Sequence, residues 1–500
     1  MNKYLYNPSL DDFRKMARGF NVVPLYREIL ADMETPVSAF MKIDTGGDAF
    51  LLESVEHGEK WGRYSFLGVN PRMILRSKGD EVEILGPGNE RRCERGPLKV
   101  LKDICGRFKA ATVEGVPGFF GGAIGYIGYD VVRHIERLPS KADDDLGLDD
   151  IYLIFTDTLL VFDNVEHKIM VIANAVIEEG ADIEALYENS KAKIEALVET
   201  LRTGSVEGGL ESATGDGAVD GKGRAAITSN FERDSYLKAV ERIKEYIKSG
   251  DVIQTVLSQR FSTPLSTSPF DIYRALRVVN PSPYMFFLRL GDLHIVGSSP
   301  EILVRVENGD VNVKPIAGTR KRGRDEAEDR ALETELLSDP KELAEHIMLV
   351  DLGRNDIGRV SEPGTVEVSE LMNVERYSHV MHIVTDVHGS MSEGLGALDA
   401  FSACFPAGTL TGAPKIRAME IIDELEPCRR GVYGGSVGYL GYSGNLDMCI
   451  AIRTMIIKDD VVYIQAGAGI VADSRADKEF EETENKARGL VKAVEMAKGF

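Results

Sequence analysis

The stretch Asp251-Val252-Ile253-Gln254-Thr255-Val256-Leu257-Ser258-Gln259-Arg260-Phe261 decides the fold. Its period-2 alternation predicts a strand with Val252, Gln254, Val256, Ser258 and Arg260 on one face, and that face is half polar. Just upstream, Tyr236, Leu237, Val240, Ile243, Tyr246 and Ile247 recur at helical spacing and stop at Gly250, a C-terminal cap. The runs Asp149 to Phe162 and Lys168 to Ile177 read as further strands, followed by a charged helix from Ile183 to Leu201. Beyond residue 261 strands and helices mix irregularly, without the alternation of a parallel doubly wound sheet. The class is therefore α+β with large antiparallel sheets.

At 500 residues the chain exceeds what one core holds, so two domains or one large layered unit is expected. The Gly, Ser, Thr, Asp and Ala-rich segment 203–226 reads as a flexible connection, dividing the chain into 1–202, a 203–226 linker and 227–500. With 59 basic and 80 acidic residues the net charge is -21, which argues against an electrostatic grip on nucleic acid or an anionic membrane. Met1 to Arg18 lacks the apolar core of a signal peptide, so a cytoplasmic protein is expected. Phe119 to Val132 is apolar and Gly-rich but contains Asp130 and falls short of the ~20 residues a spanning helix needs. It reads as buried strand and turn. Cys93, Cys105, Cys404, Cys428 and Cys449 are odd in number and scattered, which argues against a disulfide framework, a zinc site or a redox pair. One internal echo sets Gly121 to Tyr129 beside Gly434 to Tyr442: either similar strands recur in two halves, or Gly and Tyr merely suit bent strands with close backbone approach.

Several stretches carry chemistry. Ser338-Asp339-Pro340-Lys341-Glu342 opens a helix in a capping-box-like arrangement, and Glu342 and Glu345 share one face beside an apolar stripe of Leu343, Ile347 and Val350. Glu479 and Glu482 form a second pair on the last helix, with Lys486 one turn on. Either pair is a solvated face unless the two converge, in which case oxygen ligands of this kind suit Mg²⁺. Pro315-Ile316-Ala317-Gly318-Thr319-Arg320 reads as a tight turn, or as a close-approach backbone, hydroxyl and guanidinium suited to a carboxylate. Phe405 to Lys415 repeats those ingredients around Thr409, ahead of a helix from Ile416 to Leu425. Gly467-Ala468-Gly469-Ile470-Val471-Ala472 matches the dinucleotide fingerprint, but no second strand with an acidic residue follows, so glycines offering amides to a carboxylate are the better reading. His379 and His382 lie in a segment that fits strand or helix equally, and no hydrolase triad is present.

Together with Leu51-Leu52-Glu53-Ser54 and Asn280-Pro281-Ser282-Pro283-Tyr284-Met285, these motifs resemble, in order and over nearly the whole chain, the anthranilate synthase component I family of chorismate-using enzymes. The resemblance implies a β-sandwich-like core of large sheets with surrounding helices, and a magnesium-dependent lyase that makes anthranilate and pyruvate from chorismate and ammonia through an aminodeoxyisochorismate. It implies Glu345 and Glu482 as Mg²⁺ ligands, supported by Glu342 and Glu479. Gly318, Thr319, Thr409, Tyr433, Arg453, Gly467, Ala468, Gly469 and Lys486 would hold the substrate, with His382, Glu301, Glu342 and Thr409 in catalytic roles. Glu53, Ser54, Pro283, Tyr284, Met285, Val437 and Tyr439 match the family's feedback site for L-tryptophan. Since no Cys sits in a glutaminase setting, a separate glutamine amidotransferase subunit is implied as partner.

Two positions separate this chain from relatives. Ala317 stands where aminodeoxychorismate synthases commonly show a Lys, and Gln254 where isochorismate and salicylate synthases show one; neither side chain is a base or an amine nucleophile. Aminodeoxychorismate synthase component I is the alternative within the family, and a non-catalytic tryptophan-binding regulatory protein the alternative outside it.

Overall fold

The computed structural model describes residues 5–54, 62–86, 90–93, 96–205, 227–376 and 380–500. Among these, two sheets of twelve strands each dominate, and every strand pairing is antiparallel. The expected sandwich is formed by packing one face of each sheet against the other. Along Tyr284–Leu290, Phe286 and Leu288 point into the core shared with Ile124, Tyr126, Val304 and Met448 of the second sheet. Met285 and Phe287 point the other way, against Phe40, Ile272 and Leu490 of the covering helices. Period-2 alternation thus fills two apolar layers from one strand.

Both sheets draw strands from both sides of residues 206–226, which lie outside the described residues. In the first sheet Ala49–Glu53 pairs with Tyr284–Leu290. In the second, Gly122–Ile127 pairs with Ser436–Gly441. Neither part of the chain closes a sheet of its own.

The internal echo acquires a physical meaning here, because the two similar stretches are hydrogen-bonded neighbours with Gly125 opposite Gly438. A Cβ on Gly125 would lie 2.1 Å from the Tyr152 carbonyl oxygen, and one on Gly438 would lie 2.0 Å from that of Asp447. Close approach of strands on both flanks requires glycine at both positions.

The decisive stretch forms strand Gln254–Pro264, preceded by helix Arg233–Ser249, whose cap Gly250 is left-handed at φ 85. Helix Ile183–Thr203 and strands Ile151–Thr156, Thr158–Asp163 and Lys168–Val176 form where alternation and spacing placed them. Phe119 to Val132 contains strand Gly122–Ile127 and a buried turn of 3-10 helix. Helix Pro340–Gly358 starts at Asp339, but its capping differs from expectation: Asp339 Oδ1 accepts from the Lys341 amide at 3.0 Å, while Glu342 turns to Arg320. Of the apolar stripe, Val350 is buried and Leu343 half-buried, whereas Ile347 is exposed. No described helix is long and apolar enough to cross a membrane.

Gly125→Ala is expected to destabilise the fold by about 2–4 kcal/mol, because the new methyl meets backbone that has nowhere to move. A thermal or denaturant midpoint equal to that of the parent protein would show that the strands do not approach so closely.

Candidate active site

Strand Ile316–Lys321 runs along Val380–Ser390, and its register shifts between Ala317 and Thr319. Gly318 sits in that bulge at φ 68, where a Cβ would lie 3.0 Å from Leu336 Cδ1 and 3.2 Å from Glu342 Oε2. The hexapeptide read as a tight turn is therefore a bulged strand. The bulge presents the Gly318 carbonyl oxygen 3.0 Å and Thr319 Oγ1 3.1 Å from His382 Nδ1. A carbonyl can only accept, so Nδ1 carries the proton and the ring's lone pair stands on Nε2. Burial lowers the His382 pKa, while the bond to Gly318 opposes it; the imidazole is neutral at pH 7. His379, its sequence partner, lies outside the described residues.

Arg320 corrects one expectation. Its guanidinium was read as suited to a carboxylate ligand, yet it is already surrounded by Asp339 at 2.8 Å, Glu335 at 3.0 Å and Glu342 at 3.1 Å. It anchors the start of helix Pro340–Gly358 against the bulged strand, with four of its five donors already engaged by these acids and the Thr319 carbonyl.

The two carboxylate pairs lie on Pro340–Gly358 and Ala476–Met496, whose beginnings approach with Lys341 Nζ 3.9 Å from Asp473 Oδ2. Glu345 and Glu479 both sit in the field of Lys341 and Lys486. Lys486 Nζ pairs with Glu482 at 2.7 Å and donates to the Gly467 carbonyl at 2.9 Å. Burial raises the Glu345 pKa, the adjacent Glu342 raises it further, and a hydrogen bond from Gln254 opposes both. Glu479 is raised chiefly by burial, then by Glu482, with Ser474 opposing. Among the described residues, no group of three or more His, Cys, Asp or Glu side chains closes on one point.

A third group gathers around strand Val461–Ile470, which pairs with Gln254–Pro264 so that Gly467 faces Ser258 and Gly469 faces Val256. The apparent dinucleotide fingerprint thus lies in an antiparallel strand, and the helix that follows opens only at Ala476. A Cβ on Gly467 would lie 2.9 Å from the Tyr433 hydroxyl, and one on Gly469 2.6 Å from Gln254 Nε2. Desolvation pushes the Glu301 carboxyl up to about 7, against the pull of Thr409 and Lys486. The buried Thr409 Oγ1 reaches no partner in good hydrogen-bond geometry, yet lies near enough to Glu301 to favour its ionised form.

Arg453 completes the site. It is partly buried, stands in a left-handed conformation at φ 50, and forms no ion pair among the described residues. Burial lowers its pKa and the nearby Tyr433 opposes that shift, but a guanidinium stays charged. It borders an open cleft of about 480 Å³ with Glu482, Asn485 and Lys486. A desolvated guanidinium with no ion pair among the described residues has donors suited to an anion.

A separate cavity of about 250 Å³ lies between the sheets, and all seven residues matched to a regulatory site line it: Glu53, Ser54, Pro283, Tyr284, Met285, Val437 and Tyr439. Ser54 Oγ is buried there and has no hydrogen-bond partner among the described residues. Tyr439 stacks on Phe119 with centroids 4.1 Å apart, and Tyr284 donates to Asp447 Oδ1 at 2.8 Å. Asp447 is also held by Arg305 Nε at 3.0 Å. Glu53 is bound by Tyr273 and by Arg277 Nη2 at 3.1 Å, and its pKa is raised by burial. Phe119, Arg305 and Asp447 were not singled out in the sequence; only the apolar Gly-rich run around Phe119 signalled a buried segment.

These features define a chorismate-using class: the chain belongs to the chorismate binding enzymes, whose family matches residues 48–492. Within that class it is 51% identical over 499 residues to anthranilate synthase component 1 of Acetivibrio thermocellus, covering 99% of each chain. To the component 1 of Aquifex aeolicus it is 50% identical over 493 residues, covering 98% of each. The crystal structure of anthranilate synthase component I from Streptococcus pneumoniae TIGR4 aligns with a TM-score of 0.77 and 39% identity over 93% of this chain and 99% of that one. The menaquinone-specific isochorismate synthase of Escherichia coli shares the fold, with a TM-score of 0.69 at 18% identity over 97% of this chain and 98% of that one.

The Glu301 carboxyl is expected to titrate near 7, and Thr409→Val, which removes a group favouring the ionised form, to move that titration upward. Carbon-13 NMR of glutamate-labelled protein reads this directly, with Glu301→Gln identifying the signal. A titration in the ordinary carboxylate range would contradict the desolvated site.

Proposed function

We propose that the chain condenses chorismate with ammonia and releases pyruvate, leaving anthranilate, with the ammonia supplied from glutamine by a separate amidotransferase subunit. The observation that carries this reading is Arg453, a guanidinium with no ion pair among the described residues, near Tyr433 and bordering one cleft with Glu482 and Lys486, while Glu345 lies in the field of the same Lys486. A substrate with two carboxylates fits a site that offers both these cations and acids able to hold a dication. Arg453, Lys486, Thr319 and the Gly318 bulge would hold one end, and the glycine strand would let the other lie close to the backbone.

In the first step the ammonia nitrogen bonds to the ring as the hydroxyl leaves. Glu301, protonated below about 7 and adjacent to Thr409, donates the proton that lets it depart as water. In the second step a ring proton is removed, the ether bond breaks and pyruvate departs, giving the aromatic product. Neutral His382, its Nδ1–H committed to the Gly318 carbonyl, offers Nε2 as acceptor for that proton. Atoms balance: chorismate and ammonia give anthranilate, pyruvate and water.

Glu345 and Glu482 offer oxygen donors only, and Glu345 carries the burial and like-charge strain that a dication relieves, so these residues fit Mg²⁺. Glu342 and Glu479 would support them. When bound, Mg²⁺ supplies charge stabilisation at a substrate carboxylate. Ala317 and Gln254, where related enzymes carry lysine, support external ammonia over an enzyme-bound amine or an activated water. The deciding experiment mixes purified chain, chorismate, Mg²⁺ and an ammonium salt, and follows anthranilate fluorescence and pyruvate. A folded protein that consumes chorismate without releasing pyruvate would favour an aminodeoxychorismate product, and one that leaves it untouched would defeat the reading.

For the second cavity we infer that its occupant is L-tryptophan acting as inhibitor. A buried hydroxyl with no partner among the described residues, in a cavity also lined by stacked aromatic rings, suits an amino acid with an indole side chain. Ser54→Phe, which fills the cavity, is expected to weaken tryptophan inhibition at least tenfold while leaving turnover without tryptophan within about twofold. Inhibition equal to that of the parent protein would place the inhibitor elsewhere.

A further inference from the structure

One residue touches three of the segments that build the substrate pocket and itself faces none of the substrate. Arg430 is 2% exposed and pairs with Glu426, which is 5% exposed, through Nε at 2.9 Å and Nη2 at 2.6 Å. Its remaining donors leave this pair: Nη1 reaches the Leu410 carbonyl at 2.6 Å, and Nη2 the Val256 carbonyl at 3.0 Å. The guanidinium also lies 4.8 Å from the Tyr129 ring centre and 5.6 Å from that of Tyr433, and the Tyr433 amide donates to the Arg430 carbonyl at 3.2 Å. Glu426 Oε1 in turn accepts from the amide and hydroxyl of Ser258 at 2.8 and 2.7 Å.

The targets are not arbitrary. Leu410 follows Thr409, whose hydroxyl lies near Glu301 but makes no well-formed hydrogen bond among the described residues, so the turn Gly408–Leu410 depends largely on backbone contacts for its place. Val256 and Ser258 stand opposite Gly469 and Gly467 in the sheet. Tyr433 supplies the phenol that meets Gly467.

We propose that Arg430 is the positioning residue of the substrate pocket, its planar fork fixing the Thr409 turn and the Tyr433 ring against the glycine strand. The proposal rests on the reading of Thr409 and Tyr433 as substrate contacts. A buried ion pair is a poor way to gain stability alone, since apolar residues of equal volume often serve as well or better. What only arginine supplies is several donors in fixed directions, and here they go to separate pieces of backbone that each carry a pocket residue.

The test is a double-mutant cycle in the purified chain with chorismate, Mg²⁺ and ammonium. Arg430→Lys keeps the charge beside Glu426 but loses the fork; kcat/KM is expected to fall at least tenfold in a protein whose circular dichroism matches the parent. In a Tyr433→Phe background the same change is expected to cost at least threefold less than in the parent, because the hydroxyl it misplaces is already gone and only the Thr409 turn is left to disturb. Additive losses, or parental kcat/KM in Arg430→Lys, would overturn the proposal while Tyr433→Phe and Thr409→Val still lose activity. Parental activity in both Tyr433→Phe and Thr409→Val would instead remove the substrate contacts, and the positioning role with them. If Arg430→Lys does not fold, the neutral pair Glu426→Gln with Arg430→Gln strands no buried charge and is expected to show the same loss in a folded protein; full activity there overturns the proposal equally.

Discussion

The pocket exists because two positions on strand Val461–Ile470 carry no side chain. At Gly467 a methyl would strike the Tyr433 hydroxyl, and at Gly469 it would strike the Gln254 amide. With both absent, the phenol and the amide close over one face of the strand, Lys486 reaches to the Gly467 carbonyl, and Gln254 continues to Glu345. The space left open is one that ordinary side chains would fill. The cost of this arrangement is a strand face rich in polar groups, which is met by Ser258, Glu426 and Arg430 bonding to each other and to the backbone behind it.

The same logic explains which parts of the site could be read from residues in order. Strand Gln254–Pro264, expected at 251–261, and the helix ending before Gly250 announced themselves because alternation and a left-handed cap are local properties, while the three residues 251–253 belong to the connection between them. The pairing of Glu345 with Glu482 is not a local property: nothing in either helix reports the other, and only the resemblance paired them. The Gly318 bulge resembled a turn because both need a left-handed glycine, and the difference lies in the partner strand Val380–Ser390. Arg320 looked available in sequence because its three acidic partners come from one helix end and the helix before it, and their convergence is a matter of packing. Arg430 gave no signal at all, since a lone arginine after a helix is ordinarily solvated.

The cavity between the sheets and the reacting end of the site share a short stretch of backbone. Tyr284 and Met285 pair with Ser299 and Ser298, and Ser299 Oγ donates to the Ile450 carbonyl at 2.7 Å. The Ile450 amide donates to the Glu301 carbonyl at 2.9 Å, and the neighbouring Cys449 lines the cavity. An occupant that shifted Tyr284 would therefore press on the segment carrying Glu301 without needing any long chain of intermediates. Coupling of this kind requires a difference in affinity between two arrangements, and a sheet register is the element most able to hold two discrete ones.

The interleaving of early and late strands bears on how the chain reaches its shape. Ala49–Glu53 finds Tyr64–Val69 soon after synthesis, but its other neighbour, Tyr284–Leu290, is made much later, and Gly122–Ile127 waits still longer for Ser436–Gly441. Until then each early hairpin presents a bare, apolar edge of the sort that recruits foreign strands. Folding must therefore wait on the ribosome's last third, and the nascent amino-terminal portion is the stage at which a chaperone would be most needed.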